Sequence, residues 1–227
     1  MSTPTPSNEP IQFKHVLPYV TPNKFQTHKC FNATSDQQMQ KLFPGFQGLS
    51  SKLAGDWLAA IPANASFQYL EVGCLHGASL LTFWKIYGTH PNTTYTCIDP
   101  YVDHSEYSQF LNEQTINYET FGQNLRIFAF PIGKLTFYRD FSVRILPKLK
   151  DLFYNFIYLD GNTTNSAQVL EDCVLAWRKL QHGGIMIVNQ LIPSSAAQKG
   201  VESFVASYQQ YFVQHFAYNE QYFLKKL

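Results

Sequence analysis

FQYLEVGCLHGASLLTFWKIYG (residues 67–88) decides the fold. FQYLEV is a short apolar run that ends at Gly73 and reads as a strand. ASLLTFWKIYG (78–88) reads as a helix stopped by Gly88. In the connecting EVGCLHG, Gly73 can bend the chain sharply, and Gly77 lets the helix start come close to a ligand. The spacing E-x-G-x-x-x-G is not the G-x-G-x-x-G dinucleotide fingerprint. Glu71 would repel a pyrophosphate on this loop and suits a ligand with a cationic group. A plain strand-to-helix turn accounts for this stretch equally well.

Working outward, strands are expected at TYTCID (94–99), KLTFYR (134–139), NFIYLD (155–160) and IMIVN (185–189). Helices are expected at 105–124, 142–149, 167–180 and 200–212, with His182-Gly183-Gly184 ending the third of these. VQHFAY and QYFLKKL read as a closing hairpin. Strands alternating with helices imply right-handed crossovers and a doubly wound, Rossmann-like α/β sheet, mainly parallel, with a C-terminal antiparallel hairpin. Ligands bind such sheets beyond the carboxyl ends of the strands. The tips that matter are 71–77, 99–101, 139–142, 160–163 and 189–190.

The chain has 227 residues, enough for one substantial core. We expect an extended, Pro-rich N-terminal arm over 1–35 and one domain over 36–227, opening with helical pattern at 36–60. Hydrophobic residues make up 45% and charged residues 15%, so the chain is globular rather than disordered. A net charge of +1 calls for neither nucleic acid nor an anionic membrane. The polar start MSTPTPSNEP has no basic, apolar leader pattern, and a cytoplasmic location is expected. Cys30, Cys74, Cys97 and Cys173 form no C-x-x-C pair and read as free thiols. The sequons at Asn32, Asn64, Asn92 and Asn162 read as chance.

Asp99 ends the second strand, where an acid accepts hydrogen bonds from ribose hydroxyls, although an Asp before Pro100 also suits a turn. With these residues in place, the chain resembles class I S-adenosylmethionine-dependent methyltransferases. More closely, it resembles the small O-methyltransferases that include the catechol type and the related family-24 enzymes of bacteria and large DNA viruses. YLEVGCLHGAS, CIDPY, RDFSVRILPKL and the long FIYLDGNTTNSAQVLEDCVLAWRKLQHGGIMIVNQ carry the resemblance. It implies S-adenosyl-L-methionine as cofactor. It implies Glu71 and Gly73 beside the aminoacyl part, with Gly77 and Ser79 at the helix start and Ser79 on the carboxylate. It implies Asp99 on the ribose, Ser142 on the adenine, and Asp160 near the reaction centre. His76 could contact cofactor or acceptor, or simply pack.

The pattern breaks at the fifth strand. Metal-dependent relatives hold Mg²⁺ with an acid at the fourth strand and an acidic pair, or an acid and an amide, at the fifth. Here Asp160 remains, but the fifth-strand pair is Asn189-Gln190, and Thr163 stands where a His often does. No metal is expected, and Asp160 and Asn189 are the candidate catalytic residues. His28 and His104 are further candidates for the base, each also an ordinary surface residue. Three readings stay open: a metal-free O-methyltransferase for a small hydroxyl compound or glycan sugar, a methyltransferase for an amine or thiol, and a methyltransferase-like binding or assembly protein. Tyr101, Tyr107 and Tyr118 could stack on an acceptor. Self-association into a homo-oligomer is left open.

Overall fold

The computed structural model describes residues 66–103, 113–189, 193–218 and 221–227. The arm, the 36–60 helical stretch, Cys30, the sequons at Asn32 and Asn64, His28, His104, Tyr107 and Gln190 lie outside the described residues.

The elements run β1 (Gln68–Val72), α1 (Ala78–Ile86), β2 (Thr94–Ile98), α2 (Gln114–Ile127), β3 (Leu135–Tyr138), α3 (Ser142–Ile145), β4 (Tyr154–Leu159), α4 (Ser166–Lys179), β5 (Leu180–Val188), α5 (Ala196–Tyr208), β6 (Phe212–Tyr218) and β7 (Gln221–Lys226). They form one seven-stranded sheet in the order β3-β2-β1-β4-β5-β7-β6. The first five strands are parallel, and β7 runs antiparallel to both β5 and β6. Strand order reverses between β1 and β4, which puts the topological switch point at their tips.

The central strands are apolar on both faces because helices cover both. Alternation decides which side each residue joins. Tyr69, Phe156, Tyr158, Ile185 and Ile187 pack with Leu80, Phe83, Phe121 and Leu125 of α1 and α2. Leu70, Val72, Ile157, Leu159, Met186 and Val188 pack with Ile145, Val169, Cys173, Trp177 and Phe204 of α3, α4 and α5. The first face is mostly aromatic, and its rings interlock: Tyr69 stacks on Phe83 at 4.4 Å between centroids and on Phe156 at 5.7 Å. Tyr101 is 2% exposed and packs on Tyr118, Phe121 and Phe137. Tyr118 is buried with it, under the Arg139 guanidinium. Both rings therefore belong to the core rather than to an acceptor surface.

Three boundaries differ from the sequence expectation. The segment 180–184 is not a terminating turn. It is the start of β5, with an irregularity between Tyr154 and Phe156 that absorbs Gly183 at φ 73. The last helix begins at Ala196 rather than at Gly200, because the Ser195 hydroxyl caps it by accepting from the Gln198 N–H at 3.1 Å. Gly200 then lies inside the helix, where a Cβ would stand 2.7 Å from both the Ser166 carbonyl oxygen and Val169 Cβ, so α5 needs glycine there to approach α4. The helix expected at 105–124 is described from Gln114, and it ends at Ile127. No helix among the described residues is long and apolar enough to cross a membrane. Cys74, Cys97 and Cys173 are free and buried.

Candidate functional site

The carboxyl edge of the sheet carries the candidate residues side by side. Beyond the last strand pairs the backbone ladder continues: Asp99 N–H donates to the Tyr138 carbonyl, Gly73 N–H to Ile98, Asp160 N–H to Val72 and Asn189 N–H to Leu159, at 2.8–3.1 Å. Four strand tips are thus held in one row, with Gly73 and Asp160 adjacent at the switch point.

Gly73 has φ +82, and a Cβ there would lie 2.0 Å from the Asp160 carbonyl oxygen. Gly77, also at φ +82, caps α1 in the left-handed region and abuts the Phe121 ring. The intervening Leu75 is left-handed as well. No side chain caps the start of α1, so its first-turn N–H groups face the end of the loop as anion donors. Ser79, on that first turn, is 7% exposed and lies beside the Tyr158 hydroxyl.

Asp99 organises this loop. One carboxylate oxygen accepts from the N–H groups of Cys74 (2.8 Å) and Leu75 (3.0 Å), and the other from Tyr101 N–H (3.1 Å). Burial raises its pKa, while the Leu75, Cys74 and Tyr101 bonds and the Arg139 charge pull it down. A carboxylate has about four acceptor sites, so capacity remains after three N–H bonds. The Tyr101 hydroxyl donates to the Leu75 carbonyl and closes the loop from below. His76 turns outward to α2, its Nε2 paired with Asn117 Oδ1 at 2.9 Å.

Glu71 is 1% exposed and accepts from the Tyr69 hydroxyl at 2.7 Å. Burial pushes its carboxyl well above the usual range; the Tyr69 bond opposes this, and Asp160 and Asp99 add to it. On the β4–β5 side, Asn189 Nδ2 donates to Asp160 Oδ2 at 3.0 Å, and Asn189 Oδ1 accepts from Gln221 Nε2 at 3.1 Å. Gln221 is fully buried, and its Nε2 also donates to the Tyr158 hydroxyl at 3.2 Å. Nothing in the local sequence marks Gln221, which β7 brings to the site by pairing with β5.

A family model described as a methyltransferase domain matches residues 70–190, from β1 to the tip of β5. The chain belongs to the family-24 methyltransferases. No curated protein sequence matches it. Among solved structures it is similar to the O-methyltransferase NovP, with a TM-score of 0.60 and 13% identity over 78% of this chain and 80% of that one. It is also similar to the O-methyltransferase TomG of Streptomyces achromogenes, a complex with S-adenosylmethionine (TM-score 0.56, 13% identity, 84% and 86% covered). A Bacillus cereus O-methyltransferase holding S-adenosylhomocysteine matches with a TM-score of 0.55 at 10% identity, over 79% and 82%. At these identities the likeness is one of fold. S-adenosylmethionine is the cofactor of class I methyltransferases.

In this methyltransferase sheet Ser142 opens α3 and is 6% exposed, with its hydroxyl beside the Asp172 carboxylate of α4. Asp172 keeps one buried oxygen without a partner. Burial pushes its carboxyl up to about 7, with Ser142 pulling it down and Glu171 adding a smaller push. An unfolded Asp ionises near 3.9. The raised value therefore contributes stability that is full below about pH 4 and is lost as pH rises through about 7. Asp172→Asn is expected to exceed the parent in stability at pH 8, by up to about 4 kcal/mol, and to converge with it near pH 4. Urea unfolding across this range checks it; parallel pH slopes for the two proteins count against the assignment.

Behind the loop, the ligand-type atoms of Glu71, Cys74 and Cys97 lie within 4.8 Å of one another, all buried. Burial raises all three pKa values. Metal binding requires the deprotonated forms, which burial disfavours at all three.

Proposed function

We propose that the protein is an S-adenosylmethionine-dependent O-methyltransferase of a small hydroxyl compound or a glycan sugar, working without a divalent metal. The observation that carries this is the Asn189 amide. Its oxygen, the one atom of that side chain able to ligate a hard cation, is taken up by Gln221, and its NH₂ faces Asp160. A cation beside Asp160 would meet a donor there rather than a second ligand. NovP and TomG, the latter involved in tomaymycin synthesis, share the fold and support a small-molecule acceptor. The net charge of +1 argues against nucleic acid.

The residues fit the cofactor at each end. Two left-handed glycines bring the backbone close, and α1 offers uncapped N–H groups. Ser79 and those groups would hold the carboxylate, with Gly77 beside them and His76 steadying the loop. Glu71 and Gly73 would flank the aminoacyl group, where the Glu71 carboxylate would face its ammonium. Asp99 would accept from the ribose diol with its remaining lone pairs, and Ser142 would serve the adenine end. S-adenosylmethionine, when bound, would supply an electrophilic methyl group together with its leaving group. Asp160 would take the proton of the acceptor hydroxyl, and Asn189 would fix the carboxylate for it.

Two experiments test this reading. Calorimetric titration with S-adenosylmethionine and with S-adenosylhomocysteine is expected to show binding by both; no heat and no thermal shift at millimolar ligand sinks the cofactor half. Methyl transfer from labelled cofactor to a panel of phenols, polyols and glycans is expected to survive a chelator. A strict Mg²⁺ requirement overturns the metal-free mechanism.

A further inference from the structure

Asp160, Asn189 and Gln221 come from β4, β5 and β7, three strands that lie in sequence across the sheet. Asn189 is 2% exposed and Gln221 0%. An ionised carboxylate only accepts hydrogen bonds, so Asn189 has to turn its NH₂ toward Asp160. The Asn189 carbonyl then faces Gln221, which has to donate. The observed contacts have this polarity at every step: Asn189 Nδ2 to Asp160 Oδ2, and Gln221 Nε2 to Asn189 Oδ1. The opposite placement of either amide would oppose two donors or two acceptors in a buried place, at the full cost of unsatisfied polar groups. Gln221 is itself held, because the same NH₂ reaches the Tyr158 hydroxyl, and Tyr158 in turn meets Ser79.

We propose that Gln221 is a positioning residue for Asp160, acting through Asn189. The inference rests on the reading of Asp160 as proton acceptor, but its geometry is independent of turnover. By donating to the Asn189 oxygen, Gln221 fixes the amide with its NH₂ on Asp160 Oδ2 and so holds that carboxylate oxygen in place. The C-terminal hairpin thereby becomes part of the active-site machinery and not only an extension of the sheet.

The test is a double-mutant cycle by urea unfolding of the full chain, combining Gln221→Met with Asp160→Ala. Each change alone raises the unfolding constant. Together they are expected to raise it about tenfold less than the product of the two, since one chain of bonds is lost only once. Repeated in an Asn189→Ala background, the coupling is expected to vanish. Strict additivity with Asn189 present, or coupling that persists without it, overturns the proposal. Gln221→Asn replaces Gln221→Met in the cycle if the latter does not fold; it keeps both amide atoms on a stem one carbon shorter. In methyl transfer, Gln221→Met is expected to lower kcat about tenfold with the KM for cofactor within about threefold. A change in KM alone overturns the positioning role. Failure of the wild-type protein to bind S-adenosylmethionine in calorimetry would sink the functional reading and leave the coupling result standing.

Discussion

Gly73→Ala is expected to cost more than about 4 kcal/mol of stability, beyond the usual range of single substitutions. Two effects add. The residue sits at φ +82, which costs a non-glycine residue roughly 1–3 kcal/mol. The new Cβ would also stand 2.0 Å from the Asp160 carbonyl oxygen, 2.5 Å from its carbon and 2.8 Å from the Gly161 nitrogen. All three are backbone atoms and cannot rotate away. Relief requires β1 and β4 to part at their tips, the place where the loop after β1 meets Asp160. Gly77→Ala is the control: it has the same φ, but its Cβ meets the Phe121 ring edge at 3.0–3.1 Å, a side chain that can shift. Thermal and urea unfolding decide between them. A Gly73→Ala protein as stable as Gly77→Ala would mean that the strand tips are not in contact.

Asp99→Ala is expected to lower affinity for S-adenosylmethionine by about a hundredfold or more. The side chain accepts three backbone N–H bonds from two loops, and hydrogen bonds to a charged group are worth roughly 1.5–3 kcal/mol each. Its loss removes the proposed ribose partner and also releases the turn that presents Gly73 and Gly77. Asp99→Asn keeps a single accepting oxygen and is expected to fall between the two. Calorimetry measures the affinity, and amide hydrogen exchange at Cys74, Leu75 and Tyr101 measures the loop. Weakened binding with undisturbed exchange would assign Asp99 to the ribose alone. Unchanged affinity would remove it from the site.

The parallel sheet was legible because its signals are local. Short apolar runs end at a glycine or a polar residue, and a helix follows each. The turn from β1 into α1 was legible for the same reason, since Glu71, Gly73, Gly77 and Ser79 lie within nine residues of sequence. The remainder depends on pairings that no local pattern records. Residues 180–184 look like a helix stop because Gly183 and Gly184 usually are one; instead, a bulge in β5 takes them up. Gln221 is one polar residue at the start of an edge-like strand, and its role appears only when β7 places it beside Asn189, 32 positions away. Asp172 follows the exposed Glu171 in an amphipathic helix, and the packing of α3 against α4 helps to bury it beside Ser142.

The placement of β7 between β5 and β6 also bears on how the molecule is made. Synthesis runs from the N-terminus, so β7 is the last of the seven strands to emerge, yet it pairs on both sides. Until then β5 presents the bare backbone of Ile185–Val188, an uncharged β-prone run, as the open edge of a growing sheet. Such an edge invites pairing with another chain. The nascent protein is therefore most prone to aggregate in the interval before its final hairpin docks.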